Sequence, residues 1–561
     1  MFRHVRRGTT LGYLRLSEAA LRLCGRRQPY GVLTLDIAGE LPEQPFESRL
    51  FGVAPPSRDD FFTLVTALRW AREDPALRGV LVRCGSLRAG WGKVQELHRQ
   101  LLALREAGKR VWVSLSHGGI REYLLASAAQ QISLAPAGTL EITGLTSEVT
   151  FVAGLLQKLG IVAEVVQLGR YKSAAETFTR SDMSADHREM ADSLVRDLYD
   201  QIVDAVAAGR GRPAADVGPL LERGPFVAQE AHDAGLVDVL EYADDAEARL
   251  VDACDGAKVI DKAEYYARRE RALRPAVLRG GPTRIAFVRV SGSIKTGDSI
   301  PGPEGAAACG VDSVARDLAE IRDRSDIGAV VVRIASPGGS GLASDLIWHE
   351  VDRMRRSKPV VVSCSDTAAS GGYYVGVAAN VVLAEAGTIT GSIGVLAGKA
   401  VLRGLYDRVG ITKEVVAYGR HTALHSDYLP LSDADRARLR VEAEHFYTQF
   451  VDRVARGRHL SHEAVEAVAQ GRVWTGRQAA ERGLVDRLGG IESALRDARI
   501  LAGMGPDDAV RVEHYPRTRR LWQLSLNLSA LRGRLDTATL WRRVITTERL
   551  WAVLPFRLRF Y

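Results

Sequence analysis

Ser370 is the first residue in this 561-residue chain at which the local sequence favours covalent chemistry. It stands in Ala368-Ala-Ser-Gly-Gly-Tyr-Tyr374, shortly after the β-branched run 360–363. Small neighbours let the backbone turn sharply and leave a hydroxyl accessible. A second turn, Ser336-Pro-Gly-Gly-Ser340, follows the run that ends at Ile334. A Gly-Gly pair between a strand and a helix can aim backbone N–H groups at a developing negative charge. A serine and such a turn would suit acyl transfer. Either one alone is more often structural, because glycine-rich turns after strands are common in α/β proteins.

A serine hydroxyl also needs a base. His349, His421 and His425 are the histidines of the same region. His349 falls on a predicted helix, where a packed or solvated histidine is the plainer account, and the other two fall in a loop. Lysine is the alternative, since burial lowers its pKa until the neutral amine can take a proton. Lys172, in Gly169-Arg-Tyr-Lys-Ser173, becomes a candidate only through the architecture of the whole chain.

That architecture is a duplication. Lys109-Arg-Val-Trp-Val-Ser-Leu-Ser116 matches Lys358-Pro-Val-Val-Val-Ser-Cys-Ser365. Ala128-Ala-Gln130 matches Ala378-Ala-Asn380, and Val165-Val-Gln-Leu-Gly-Arg170 matches Val415-Val-Ala-Tyr-Gly-Arg420, about 250 positions on. The halves close alike, on Ala234-Gly-Leu-Val-Asp238 and Arg482-Gly-Leu-Val-Asp486. Short β-branched runs such as Gly79-Val-Leu-Val-Arg83 and Ala329-Val-Val-Val-Arg-Ile334 read as buried strands. Residues 311–324 and 343–356 carry helical spacing, so each half is α/β with mostly parallel pairing. Expected boundaries are 1–28 (amphipathic segment), 29–270 (first repeat), 283–503 (second repeat) and 504–561 (basic aromatic extension). At the point matching Ser370 the first half has Ile120-Arg121, and at the point matching Lys172 the second half has Thr422. The half with the serine lacks the lysine, and the reverse. A site shared between duplicated halves would leave that trace, and neither half should act alone.

Composition bounds the remaining classes. Apolar and charged shares of 46% and 26% are those of a soluble globular protein. Five dispersed cysteines, with no C-x-x-C pair, argue for buried small hydrophobes rather than a disulfide framework or zinc site. The net charge of +8 resides in residues 517–561, where ten arginines face only Asp536 and Glu548. The body is balanced, so no nucleic-acid partner is expected, and any acidic partner should dock on the tail. The stretch from Leu11 to Cys24 is interrupted by Arg15, Glu18 and Arg22, too charged for a spanning helix.

At these residues the chain resembles the signal peptide peptidase A (protease IV) family in its long, duplicated bacterial form. The resemblance runs from about residue 30 to about residue 500. It rests on Ser336-Pro-Gly-Gly339, Ala369-Ser-Gly-Gly-Tyr-Tyr374, Thr390-Gly-Ser-Ile-Gly394 and Gly169-Arg-Tyr-Lys172. It implies two tandem repeats of a caseinolytic-protease/crotonase-like α/β fold, no metal and no cofactor. It also implies a Ser–Lys dyad, with Ser370 as nucleophile, Lys172 as base, Ser392 orienting the lysine, and Gly339 and Gly371 N–H forming the oxyanion hole. Implied partners are hydrophobic peptides, including remnant signal peptides, and other copies of the chain in a homotetramer.

Two departures stand out. Ala335 occupies the place of the family's usual Asp, and the sequence reads as lacking a clear signal peptide or the family's N-terminal membrane anchor, an expectation that leaves cytoplasmic or peripheral membrane placement open. The tail interleaves aromatics, leucines and arginines in Leu521–Leu528, Leu540–Ile545 and Leu550–Phe556. It reads as a peripheral membrane contact through residues 517–561 or as a subunit-packing extension. A crotonase-like acyl-coenzyme A enzyme and an inactive membrane-associated scaffold are the alternative functions.

Overall fold

The computed structural model describes residues 30–44, 60–278, 283–302, 305–516 and 550–553. The expected amphipathic segment 1–28, Cys24 and most of the arginine-rich tail lie outside the described residues. Within the described residues each half is built on parallel strands. The first half's sheet runs in the order Lys258–Asp261, Tyr30–Gly39, Gly79–Leu87, Arg110–Leu115, Gln131–Leu134, Val239–Leu240. All of its neighbours are parallel. The second half repeats the plan with Arg284–Ser291, Ile327–Ser336, Val360–Ala369 and Val381–Ala384. Arg511–Tyr515, from the extension that follows the second repeat, adds a parallel strand beside Arg284–Ser291. The helix Lys262–Leu278 runs past residue 270 towards the second half.

Runs of Val and Ile in these strands are buried on both faces, as parallel sheets require. Alternation along the second sheet divides two cores. Ala286, Val288, Val330, Val332, Val360 and Val362 pack with helices of their own half, including Val311–Asp323 and Gly341–Arg355. Ile285, Phe287, Ala329, Val331, Val361 and Leu383 face the other way. They join the first half's helices Phe61–Glu73 and Trp91–Glu106 and the late helix Ile491–Leu501 in one cluster. The two halves therefore share a core.

Polar groups fix the register of that junction. Asp366 of the second half accepts from Gly90 N and Lys93 N, so it caps a first-half helix from outside its own repeat. Arg333, fully buried, donates to Glu43 at 3.2 Å and to Ser363 Oγ at 2.8 Å. Burial pushes the Glu43 carboxyl up, but Arg333 and Lys93 outweigh it and hold the pKa at about 2. Such a buried pair specifies the fit more than it adds stability.

A mixed sheet ties the halves together where the glycine-rich turns lie. Its order is Ile300–Gly302, Gly305–Gly310, Ser293–Lys295, Gly338–Ser340, Leu550–Val553, Val395–Val401, Val162–Leu168. Val162–Leu168 belongs to the first half, yet it pairs antiparallel with Val395–Val401 of the second, from Leu168↔Val395 to Val162↔Val401. Gly398 permits this approach, since a Cβ there would lie 2.4 Å from Glu164 O. The strand that leads to Lys172 is thus held by the strand that follows Ser392.

Candidate active site

The lysine segment turns out of strand Val162–Leu168 at Gly169, whose φ of 101° favours glycine. Lys172 N donates to Gly169 O at 3.1 Å, and Tyr171 N donates to Gln470 O at 2.8 Å. The side chain enters the second half and is fully buried. Its Nζ lies 2.7 Å from Ser370 Oγ, 2.9 Å from Ser392 Oγ and 3.1 Å from Ser392 O. Burial pushes the Lys172 pKa well below its ordinary 10.5. A neutral amine there can accept the Ser370 proton while its own N–H groups donate to Ser392.

Ser370 ends strand Val360–Ala369 and immediately precedes helix Gly371–Gly376. Its φ and ψ of 53° and −117° lie outside the regular regions for a residue with a side chain, a strain of about 1–3 kcal/mol. The surroundings enforce it: Ser370 N donates to Gly391 O and Tyr374 N donates to Ser370 O, both at 2.8 Å. Ser392 also has a positive φ, 55°, and is held by its N–H to Arg472 O at 2.7 Å. Both hydroxyls therefore point to one amine because their backbones are turned against the usual preference.

The two glycine-rich turns abut. A Cβ on Gly372 would lie 2.7 Å from Ser336 O, and one on Gly339 would lie 2.0 Å from Ile294 O. Gly338, with φ 103°, accompanies Gly339 in the short strand Gly338–Ser340. Ser336 Oγ donates to Gly292 O and accepts from Gly338 N, which braces the turn at a position next to Ala335. Gly371 is the first residue of its helix, so its N–H is not used by the helical ladder.

The histidines stand elsewhere in the hydrogen-bond network. His349 is exposed on helix Gly341–Arg355, and His421 Nδ1 pairs with Asp435 at 2.9 Å. His425 lies exposed at the end of the turn Thr422–His425. One element escaped sequence reasoning altogether. The loop Gln470-Gly471-Arg472 fits between the lysine and Ser392, and a Cβ on Gly471 would lie 2.6 Å from both Lys172 N and Lys172 Cβ. Gly471 N also donates to Ile393 O at 2.7 Å. A usable signal was present, since a glycine precedes Gly-Leu-Val-Asp by eleven or twelve residues in both halves.

The sequence profile of Peptidase family S49 matches this chain twice, over residues 103–255 and 352–505. This chain belongs to peptidase family S49. One matched segment falls in each half of the duplication, and the chain is a serine peptidase. Relatives support the same assignment over most of its length. It is 32% identical over 481 residues to the chloroplastic serine protease SPPA of Arabidopsis thaliana, across 84% of this chain and 69% of that one. It is 30% identical to Protease 4 of Haemophilus influenzae, across 86% of this chain and 80% of that protein. Protease 4 of Salmonella typhi is also 30% identical, across 84% and 78%. Among the described residues, no helix is long and apolar enough to cross a membrane.

Proposed function

We propose that this S49 peptidase is a Ser–Lys endopeptidase that cleaves hydrophobic peptides, such as signal-peptide remnants, with both halves contributing to one site. The observation that carries this reading is the 2.7 Å approach of a fully buried Lys172 Nζ to Ser370 Oγ. In the first step Nζ takes the hydroxyl proton as Oγ bonds to the scissile carbonyl carbon. The carbonyl oxygen gains the negative charge, and the N–H groups of Gly339 and Gly371 are its donors. The protonated lysine then gives its proton to the leaving amine as the C–N bond breaks, and an acyl-enzyme remains. Water deprotonated by the restored amine hydrolyses that ester. Ser392, 2.9 Å from Nζ, keeps the amine aimed through both halves of the cycle.

Assembly and placement belong to the same proposal. The second-half counterpart of strand Val162–Leu168 leaves Val415, Val416 and Tyr418 exposed at 47%, 88% and 92%. Such a run of apolar side chains supports burial against further copies of the chain, as in a homotetramer. The arginine-rich tail supports contact with an anionic membrane surface. The central reading is tested with a fluorophosphonate probe and a fluorogenic apolar peptide. The chain should label at Ser370 and hydrolyse the peptide, and Ser370→Ala should do neither while keeping its fold. Hydrolysis that persists in Ser370→Ala would remove the nucleophile from the proposal.

A further inference from the structure

We infer that the chain's own residues Leu550–Val553 occupy the strand slot through which a peptide reaches Ser370, so that the C-terminal segment competes with substrate. The inference rests on the Ser–Lys reading above. Its physical basis is a sheet with a gap that, among the described residues, this segment fills. The outer edge of strand Gly338–Ser340 is taken by Ser293–Lys295, through Ile294↔Gly339. Its other edge pairs antiparallel with the C-terminal segment: Ser340↔Trp551, Gly339↔Ala552 and Gly338↔Val553. The far side of the same segment pairs with Val395–Val401, through Leu396↔Trp551 and Ala397↔Leu550. In the sheet order Leu550–Val553 is the one strand between these two edges.

Both edges belong to the site. One contains Gly339, the proposed oxyanion donor, and the other begins three residues after Ser392. A substrate whose scissile carbonyl lies over Ser370 and against Gly339 N–H must run extended beside Gly338–Ser340. Extended peptides bind open strand edges through main-chain hydrogen bonds, which any sequence without proline can supply. The slot therefore takes one strand at a time. The segment that holds it, Leu-Trp-Ala-Val, has the apolar character expected of the substrate. Being tethered, it acts at an effective concentration on the order of millimolar. Substrate must displace it, so apparent KM rises by the inverse of the open fraction, while kcat for bound substrate is unchanged.

Three proteins test this: the full chain, a chain stopped after Arg549, and the full chain carrying Ala552→Pro, which removes a strand N–H but retains every tail charge. Intact mass is recorded first, and a tail cut within or beside 550–553 in the full chain but whole in its Ser370→Ala version supports the inference, because such cleavage requires the segment to lie in the site. With the tail intact, both variants should hydrolyse an apolar peptide with KM lowered about threefold or more, as for a slot closed two-thirds of the time, and kcat within about twofold. A synthetic peptide of residues 549–555, added to the shortened chain, should inhibit competitively. Equal KM in all three proteins overturns the inference. Hydrogen exchange, measured on Ser370→Ala versions, separates this outcome from failure of the peptidase reading. Amides of 338–340 and 395–397 should lose protection when the tail is removed or carries the proline, whether or not the enzyme hydrolyses anything. Unchanged protection overturns tail occupancy by itself, and loss of protection in a chain that neither labels nor hydrolyses leaves occupancy standing while the Ser–Lys reading falls.

Discussion

The two halves build the same strand-turn-helix corner and fill it with opposite contents. In the second half Gly372 stands in the first turn of the helix after Ser370, and with no side chain it lets that turn lie against Ser336 O. In the first half the matching residue is Glu122, only 5% exposed. Its carboxylate accepts from Gly119 N at 2.8 Å and from Leu87 N, the donors of the two turns that correspond to the second half's glycine-rich pair. Ile120 stands in the place of Ser370, Ala89 in that of Gly339 and Ile142 in that of Ser392, and all three are buried. Arg121, in the place of Gly371, lies over the Trp91 ring at 4.8 Å. One corner thus satisfies its backbone donors internally with a fixed carboxylate, and in the other a glycine stands where that carboxylate would be. The exchange is reciprocal, because Thr422, in the place of Lys172, is exposed on a turn. Duplication let each half specialise: the first became a braced support that delivers a lysine, and the second became the corner that receives it.

The most severe way to break this comparison is to remove what the first half delivers. Lys172→Met should lower kcat/KM by about 10³-fold or more, the scale seen when a base paired to a nucleophile is lost. His349→Ala and His421→Ala should leave it within about twofold. In the unaltered chain kcat/KM should rise with pH through the lowered Lys172 pKa, because only the neutral amine accepts the serine proton. Stability should follow the same group with a definite sign. A lysine whose folded pKa is depressed binds fewer protons in the native than in the unfolded state below 10.5, so its burial penalises the fold most at low and neutral pH. Lys172→Met should therefore raise Tm at pH 7, with the gain shrinking as pH approaches 10.5. A Tm gain independent of pH would mean that the native lysine is not held neutral by burial.

A subtler break acts on the positioning of the lysine and leaves its chemistry in place. Gly471→Ala puts a methyl group within 2.6 Å of Lys172 N and Cβ, and neither can yield without moving the amine. Displacements near 1 Å cost about 10²-fold at a reacting centre. We expect a kcat/KM loss of that size, falling on kcat, with Ser370 labelling slowed in parallel and the hydrogen-exchange pattern of the two sheets retained. Full activity in Gly471→Ala would show that the 470–472 loop does not set the position of the lysine.

How much of this was legible without coordinates follows from which interactions are local. The strands read at 79–83 and 329–334 and the helices read at 311–324 and 343–356 were legible because β-branched runs and helical spacing are short-range patterns. Ser370 and Lys172 stood out because the repeat makes their absence in the sister half visible, whereas Ser392 came only from the family resemblance. The helix Lys262–Leu278 runs across the repeat boundary expected at residue 270. Gly471 was missed because the clash that requires a glycine there is with a residue 299 positions earlier. Glu122 was passed over for a similar reason: nothing in Ile120-Arg-Glu-Tyr shows that a carboxylate reaches back to Leu87. The tail was read by composition, as a membrane or subunit contact, and four of its residues pair as a strand that composition could not locate.

The gentlest test concerns the braced corner itself. If Glu122 is only an internal acceptor for the first half's turns, Glu122→Ala leaves Leu87 N and Gly119 N without it in a closed environment. Unmade buried hydrogen bonds of this kind cost about 1–3 kcal/mol, so the variant should unfold at lower denaturant with its m-value unchanged. Glu122→Gln, which keeps one carbonyl oxygen, should recover part of that loss. Neither change touches the lysine, the serine or the 470–472 loop, and kcat/KM at 25 °C should stay within about twofold. A tenfold fall in kcat/KM with stability intact would mean that the first corner transmits its geometry to the second, and the division into support and site would have to be redrawn.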